Sequence, residues 1–293
     1  MKPTRDPRQA GPRPPFPEQQ QSHPGTVHKL DPPADHGDES YVGSGKLKGR
    51  VAIVTGADSG IGRAVAIAFA KEGADVVLSY LPEEEGDAVE VAAVIARVGQ
   101  RAIQLPGDIG DPAYATSLVN AAVKDLKGLD IVVNNAAYQM TRDEIQDISN
   151  EEFERTFRTN VFGTFYLCKA ALEHLKPGGV ILSTTSIQTY EPSENLLAYA
   201  STKAAIANFT KGLSKMAAKK GVRVNAVAPG PVWTPLIPAT MPTEKVEKFG
   251  ATSLFERPAQ PVEIARLFVF LASDDASYAT GEIFGATGGK SPL

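Results

Sequence analysis

From about residue 50 onward, the chain alternates short apolar runs with longer, Ala-rich amphipathic stretches. The apolar runs are predicted strands at 51–55, 75–80, 102–107, 130–135, 179–186, 222–229 and 282–287. The stretches between them are predicted helices near 60–72, 84–98, 111–127, 150–176, 198–220 and 261–272. Apolar runs with little polar alternation indicate strands that are buried on both faces. This pattern predicts one α/β domain, a doubly wound, seven-stranded parallel sheet with helices on both faces.

The first 45 residues differ from the rest in composition. They contain nine prolines, a QQQ run and almost no aliphatic clusters. Such a segment buries too little apolar surface to offset the entropy lost on ordering. We therefore expect an extended or disordered Pro-rich arm over 1–45 and a folded domain over 46–293. Two interpretations stay open for the arm: a loose tail, or a segment that lies along the domain or a neighbouring subunit.

Charge and rare residues exclude several functional classes. The 293 residues include 30 basic and 34 acidic side chains, so we expect neither nucleic-acid nor membrane binding. The absence of a leader and of a long apolar run predicts a cytoplasmic protein. A single cysteine, Cys168, permits no internal disulfide. Three of the four histidines (His23, His28 and His36) lie in the arm, which makes a His-based metal site improbable.

A glycine cluster follows the first predicted strand. Residues 55–70 read TGADSGIGRAVAIAFA, with Gly56, Gly60 and Gly62 just before a predicted helix. Glycine permits a tight turn and close approach of the backbone to a diphosphate, and a helix N-terminus attracts negative charge. Because this cluster stands between a first strand and a first helix, it favours dinucleotide binding.

A Tyr and a Lys stand four residues apart in the stretch LLAYASTKAAI over 196–206. Tyr199 and Lys203 therefore share one face of a predicted helix. The ordinary interpretation is a surface helix with a half-buried ring and a solvated ammonium. A phenol has a pKa near about 10, and a neighbouring ammonium lowers it, so the pair also suits acid/base chemistry. The pair alone does not decide between these alternatives.

Further motifs follow in a fixed order along the chain. Asp108 follows the third predicted strand, NNAA (134–137) the fourth, and Pro229 and Gly230 the sixth, while Ser186 ends the fifth, thirteen residues before Tyr199. With TGxxxGIG at 55–62 and Asn160 in TNVFGTF, this set resembles the short-chain dehydrogenase/reductase family over about 47–288. The Pro-rich leader resembles the bacterial glucose/ribitol dehydrogenase-like subgroup. Ala137 departs from the family pattern, which has glycine there.

The resemblance implies a Rossmann fold and an oxidoreductase that transfers a hydride between NAD(P) and an alcohol or carbonyl, such as a sugar, polyol or small ketone. It assigns Tyr199 as the general acid/base. Lys203 would lower the pKa of Tyr199 and would also hydrogen-bond to the nicotinamide ribose. Ser186 would donate to the substrate oxygen, and Asn160 would anchor a water. The implied catalytic residues are thus Asn160, Ser186, Tyr199 and Lys203.

The family pattern also implies the cofactor site. Its residues here are Gly56, Asp58, Ser59, Gly60, Ile61, Gly62, Tyr80, Asp108, Ile109, Asn135, Ala136, Ala137, Tyr199, Lys203, Pro229, Gly230, Val232 and Thr234. Carboxylates cluster near the end of the second predicted strand, at 83–85 and Asp58, and Arg63 is the only base. Since carboxylates repel a 2'-phosphate, NAD is favoured over NADP.

Substrate contacts and assembly are predicted more coarsely. The Pro-rich segment 231–260 is expected to form a loop over the substrate, with Tyr138, Gln188 and Tyr190 as pocket-wall candidates. The family suggests a homotetramer with contacts near 111–127, 150–176 and the C-terminal segment. Two other functions stay open: an epimerase or dehydratase that uses the same Tyr and Lys, and a non-catalytic dinucleotide sensor or scaffold.

Overall fold

A computed structural model describes residues 6–289 and contains a seven-stranded sheet in which every pairing is parallel. The strands are β1 (Val51–Thr55), β2 (Asp75–Tyr80), β3 (Ala102–Pro106), β4 (Ile131–Asn134), β5 (Val180–Thr184), β6 (Arg223–Pro229) and β7 (Ile283–Ala286). Their order is β3-β2-β1-β4-β5-β6-β7, so the order reverses between β1 and β4. The predicted doubly wound fold is confirmed.

Helices cover both faces of the sheet. They are α1 (Gly60–Lys71), α2 (Glu85–Arg97), α3 (Pro112–Asp125), α4 (Asn150–Phe157), α5 (Gly163–Leu172), α6 (Leu197–Ala217), α7 (Leu236–Thr240), α8 (Thr243–Glu247) and α9 (Pro261–Ala272). Apolar residues of α1, α2 and α9 form the core on one face, and those of α3, α5 and α6 form it on the other. Within residues 6–289, no helix is both long enough and apolar enough to cross a bilayer.

Two predicted elements end or divide where the site is built. The predicted helix 150–176 is interrupted by a π turn at Arg158–Phe162, which separates α4 from α5. The predicted strand 179–186 ends at Thr184, because the next residues leave the sheet and Ser186 begins a 3₁₀ turn at Ile187–Thr189. Both departures from regular structure place polar residues at the carboxyl edge of the sheet.

The arm packs against its own domain. Among the described residues 6–45 it forms 3₁₀ turns at Pro7–Gln9 and Val27–Lys29 and a further turn at 38–40, and it contains no strand. Phe16 stacks on Trp233 with 4.2 Å between ring centroids, and Trp233 Nε1 donates to Pro32 O at 2.7 Å. Phe16, Leu30 and Trp233 belong to a small apolar cluster between the arm and the segment that follows β6. This cluster fixes the arm on the side of the predicted substrate loop.

A buried carboxylate holds the last part of the arm. Glu72 accepts hydrogen bonds from Tyr41 Oη (2.5 Å), Ser44 N (2.8 Å) and Lys46 N (2.9 Å). Lys71 Nζ donates to backbone carbonyls of the arm, including Tyr41 O at 3.0 Å. Burial alone raises the pKa of Glu72, but these hydrogen bonds outweigh it and lower the pKa below the usual value.

Candidate active site

The carboxyl ends of the strands open into a cavity of about 210 Å³. It lies where the strand order reverses, the place at which open α/β sheets bind ligands. Most of the predicted cofactor-binding residues line it: Gly56, Asp58, Ser59, Gly60, Ile61, Tyr80, Asp108, Ile109, Asn135, Ala136, Ala137, Tyr199, Lys203 and Thr234. The fold therefore brings the glycine turn and the Tyr/Lys pair to one cavity.

The other predicted site residues stand outside this lining: Gly62, Asn160, Ser186, Pro229, Gly230 and Val232. Ser186 and Asn160 lie next to residues that do line it, as shown below. Gly230 N donates to Ala286 O at 3.0 Å, and Val232 forms a bridge with Ala259. These contacts tie the segment after β6 to its neighbours, and direct contact of Pro229, Gly230 and Val232 with a cofactor stays a prediction.

The glycine turn presents backbone to the cavity. Gly56 and Gly60 have φ angles of 60° and 51°, which side-chain-bearing residues rarely adopt. A Cβ on Gly62 would lie 1.8 Å from Gly56 O, so the start of α1 closes on the turn only because residue 62 is glycine. Asn135 Nδ2 donates to Thr55 O (3.0 Å) and Gly56 O (3.2 Å), which binds the turn to the end of β4.

Tyr199, Lys203 and Ser186 converge at the opposite wall. Lys203 is buried on α6, and its Nζ lies 5.3 Å from the centroid of the Tyr199 ring. Lys203 Nζ donates to Thr184 O at 2.8 Å, at the end of β5. Ser186 lies close enough to Tyr199 for its hydroxyl to lower the pKa of the phenol. The three groups that the resemblance implied for proton transfer therefore stand together.

Burial dominates the ionisation of this pair. It raises the pKa of Tyr199 to about 12, against the hydrogen bond from Ser186, and lowers the pKa of Lys203 to about 7. The net shift of the Tyr199 pKa is therefore upward, opposite to the expected lowering. The reason is desolvation, which disfavours the charged form of both groups.

Asn160 positions the residues around the pair. It lies in the π turn, and its Nδ2 donates to Tyr138 O and to Thr202 Oγ1, both at 3.0 Å. Its Oδ1 accepts from Tyr138 N at 2.7 Å. The side-chain amide thus joins the segment after β4 to α6, and π turns often mark functional sites. The water-anchoring role of Asn160 stays a prediction.

Carboxylates line the other end of the cavity. Asp58 is buried, and its Oδ2 has no hydrogen-bond partner among residues 6–289. Burial raises the pKa of Asp58 to about 6 and that of Glu84 to about 8, and the charge of Asp87 raises both further. Arg63 is engaged elsewhere, since it pairs with Glu90 at 3.0 Å and with Asp38 of the arm at 3.4 Å.

These features fit a dinucleotide. Gly56 and Gly60 have no side chains, so space beside their backbone stays open for a ligand. The Asp58 oxygen that lacks a partner among residues 6–289 can accept a hydrogen bond from a ribose hydroxyl. No group of three or more His, Cys, Asp or Glu side chains in the described part of the chain is arranged to hold a metal ion.

The cavity also contains residues that the sequence did not reveal. His23, Pro24 and Gly25 come from the arm, while Arg155 and Thr159 come from α4 and the π turn. Arg155 and Thr159 are four residues apart, a helical spacing that offered a signal, whereas the arm offered none. Of the pocket-wall candidates, Tyr138 lines the cavity and Gln188 and Tyr190 do not.

Comparison with known proteins decides the family. A family model described as enoyl-(acyl carrier protein) reductase matches residues 56–291. The chain belongs to the short-chain dehydrogenase/reductase family. Proteins of this family are oxidoreductases that bind NAD(P), so the predictions of an oxidoreductase and of NAD(P) binding hold at the level of the family.

Relatives and solved structures agree with this assignment. The chain is 52% identical to the uncharacterized oxidoreductase YhdF of Bacillus subtilis (strain 168), with 94% of each chain covered. It is 42% identical to the glucose and ribitol dehydrogenase of Daucus carota, over 93% of this chain and 96% of that protein. A short-chain dehydrogenase from Burkholderia cenocepacia J2315, solved in complex with NADP, has a TM-score of 0.78 and 31% identity, over 84% of this chain and 99% of that one.

Proposed function

We propose that this short-chain dehydrogenase/reductase interconverts an alcohol and a carbonyl on a sugar, polyol or small ketone. The observation that carries the proposal is the convergence of the Tyr199 phenol, the Lys203 amine and the Ser186 hydroxyl beside the glycine turn. Bound NAD(H) would supply the hydride acceptor for the carbinol carbon or the hydride donor for the carbonyl carbon. Every other step is assigned to side chains of the chain itself.

Tyr199 is the proton-transfer group in this proposal. In the direction of oxidation its phenolate accepts the hydroxyl proton, and in reduction its phenol donates a proton to the forming alkoxide. The high pKa of Tyr199 in the ligand-free protein suits the donor role at neutral pH. Ser186 donates to the same substrate oxygen, and the cationic form of Lys203 favours the phenolate when a proton must be removed.

NAD is the dinucleotide that the charges favour. Asp58 and Glu84 line the cavity, and the nearby Arg63 is already paired with Glu90 and Asp38. A 2'-phosphate would therefore be repelled by two carboxylates, and the guanidinium of Arg63 would not be available to compensate its charge. The Burkholderia relative was solved with NADP, so a titration of this protein with NADH and NADPH in parallel is the direct check.

That titration has a pH signature. Both carboxyl groups have raised pKa values, about 6 for Asp58 and about 8 for Glu84, so they lose negative charge as the pH falls through these values. The preference for NADH is therefore expected to shrink as the pH is lowered from about 9 to about 6. A preference for NADPH at the higher pH would contradict the assignment.

The decisive experiment replaces Tyr199 with phenylalanine. Tyr199→Phe should bind NADH as the wild type does and should lose turnover by about 10²- to 10⁴-fold, because the proton-transfer group is gone. Tyr190→Phe is the matched control, since Tyr190 is half exposed outside the cavity. Turnover is measured by the absorbance of reduced nicotinamide with a panel of sugars, polyols and ketones. Unchanged turnover in Tyr199→Phe would refute the mechanism.

We also propose that the protein works as a cytoplasmic homotetramer whose contacts include α4 and α5. Phe162 and Phe165 support this, because their rings are 43% and 45% exposed on neighbouring turns of this region. Clustered exposed aromatic rings are typical of protein interfaces. Light scattering of the purified protein measures the mass, and a monomer at micromolar concentration would contradict the proposal.

A further inference from the structure

One part of the arm, residues 21–27, crosses the mouth of the cavity, and we name it the strap. At one end, Gln21 N donates to Pro238 O at 2.9 Å, in α7. At the other end, Val27 N donates to Asp87 Oδ2 at 2.8 Å, in α2. The strap is thus anchored on the two opposite sides of the crevice, with His23, Pro24 and Gly25 lining the cavity between these anchors.

The contact on the first side leads to the glycine turn. Gly25 is buried against Pro235, and a Cβ at Gly25 would lie 2.5 Å from Pro235 O. Pro235 follows Thr234, whose Cγ2 would lie 3.0 Å from a Cβ on Gly60. Two short contacts therefore connect the strap to the glycine turn on this side.

A second contact of the strap leads to the same turn. The ring of His23 packs edge-to-face on Tyr138, with 5.0 Å between centroids. Tyr138 lies two residues after Ala136, whose Cα would lie 3.1 Å from a Cβ on Gly56. Thr234 and Ala136, which lie within two positions of the strap's contact residues Pro235 and Tyr138, are the neighbours of Gly60 and Gly56, and the strap and the glycine turn line the same cavity.

His23 is chemically free to bind a ligand there. Its ring is half-buried, and none of the described residues forms a hydrogen bond with its nitrogens. Burial, with a smaller effect of the Arg155 charge, lowers the pKa of His23, so the ring is neutral at neutral pH. A neutral imidazole offers one donor and one acceptor.

We propose that the strap closes the crevice over a bound nicotinamide dinucleotide and that His23 hydrogen-bonds to an oxygen of that dinucleotide. This inference rests on the proposed function, because it takes the ligand at the glycine turn to be NAD(H). The strap must move aside for the dinucleotide to enter and leave, so its contacts set the rate of release. His23 becomes a cofactor-binding residue that lies outside the sheet domain.

Two variants test the strap with NADH as the probe. Gly25→Val adds a Cβ that overlaps Pro235 O and lifts the strap, and NADH should dissociate about three- to tenfold faster in stopped-flow fluorescence. His23→Ala removes one neutral hydrogen bond and should weaken NADH binding by about the same factor. Gly86→Ala, where a Cβ would meet nothing within 4 Å, and His174→Ala, at an exposed residue outside the cavity and the arm, are the matched controls.

Amide hydrogen exchange provides a second test on the unaltered chain. Saturating NADH should slow exchange at the strap amides of Gln21, Thr26 and Val27, because the closed strap gains contacts. Unchanged exchange together with unchanged NADH affinity in both variants would overturn the inference. So would tighter NADH binding in Gly25→Val, which would mean that the strap occupies the dinucleotide's place.

The two proposals fail in different ways. If the wild type binds NADH and turns over substrate while the strap variants behave like their controls, only the strap is refuted. If the wild type binds no nicotinamide dinucleotide, both proposals are refuted.

Discussion

Replacing Lys203 with methionine removes an amine from a buried position while leaving a flexible chain of similar length. Lys203 is 2% exposed on α6, and burial lowers its pKa from 10.5 to about 7. In the unfolded chain the amine keeps its ordinary pKa, so between about pH 7 and pH 10 the unfolded state binds more protons than the folded state. The lysine therefore destabilises the ligand-free fold, and this penalty is largest at low pH.

The size of the penalty follows from the two pKa values. One unit corresponds to about 1.4 kcal/mol, which gives a penalty of about 4 kcal/mol at pH 7 and about 2 kcal/mol at pH 9, falling to zero above the unfolded pKa. Methionine removes the penalty but leaves Thr184 O without its donor, at a cost of about 1–3 kcal/mol. We expect Lys203→Met to increase the free energy of unfolding near pH 7 and to lose most of that gain near pH 9.

The most informative measurement is the difference between the stabilisation by Lys203→Met at pH 7 and that at pH 9. The lost hydrogen bond and the packing change contribute equally at both pH values and therefore cancel in this difference. Urea unfolding of the ligand-free protein should give a stabilisation about 2 kcal/mol larger near pH 7 than near pH 9. Lys211→Met, an exposed position two turns further along α6, should show no such difference. The same change in unfolding free energy at both pH values would refute the reasoning.

Two further substitutions test the glycine turn and the carboxylate of Glu72 that holds the last part of the arm. Gly62→Ala places a Cβ 1.8 Å from Gly56 O, so NADH titration should show binding weakened at least about tenfold and unfolding a stability loss of about 1–3 kcal/mol. Gly212→Ala, inside α6 with nothing within 4 Å of its Cβ, should leave NADH binding unchanged and should raise stability by about 0.5–1 kcal/mol. Glu72→Gln should lower the free energy of unfolding by about 1–3 kcal/mol near neutral pH. Because the folded pKa of Glu72 is lowered, its contribution is present above the unfolded pKa and is lost as the pH falls, so the cost of the substitution should shrink in acid; an equal cost in acid would contradict the role of the carboxylate.

The sheet and the cavity lining were predictable because the chemistry stands at strand ends. Parallel strands bring their carboxyl ends to one edge, so residues after β1, β3 and β4 must meet whatever their separation in sequence. Thr55 and Asn135 illustrate this, since Asn135 N donates to Thr55 Oγ1 at 2.9 Å across eighty positions of the chain. The order of the motifs along the chain was therefore enough to predict most of the cavity lining.

What the sequence could not predict depends on burial depth and on irregular backbone. The helical spacing of Tyr199 and Lys203 predicted proximity, but the direction of both pKa shifts depends on how completely the fold excludes water. His23 belongs to a Pro-rich segment without periodicity, so no local pattern connects it to Tyr138, more than a hundred residues away. The π turn at Asn160 likewise interrupts a helix that looks continuous in sequence.

The direction of the pKa shift separates the structural carboxylate from those at the cavity. Glu72 is buried but receives donors from Tyr41, Ser44 and Lys46, so its charge is stabilised and its pKa is lowered. Asp58 and Glu84 are also largely removed from water, yet their pKa values are raised because their hydrogen bonds do not outweigh burial and the repulsion by neighbouring carboxylates such as Asp87. A fold gains no stability from such carboxylates. A ribose hydroxyl bound at the glycine turn would supply the donor that Asp58 Oδ2 lacks among residues 6–289.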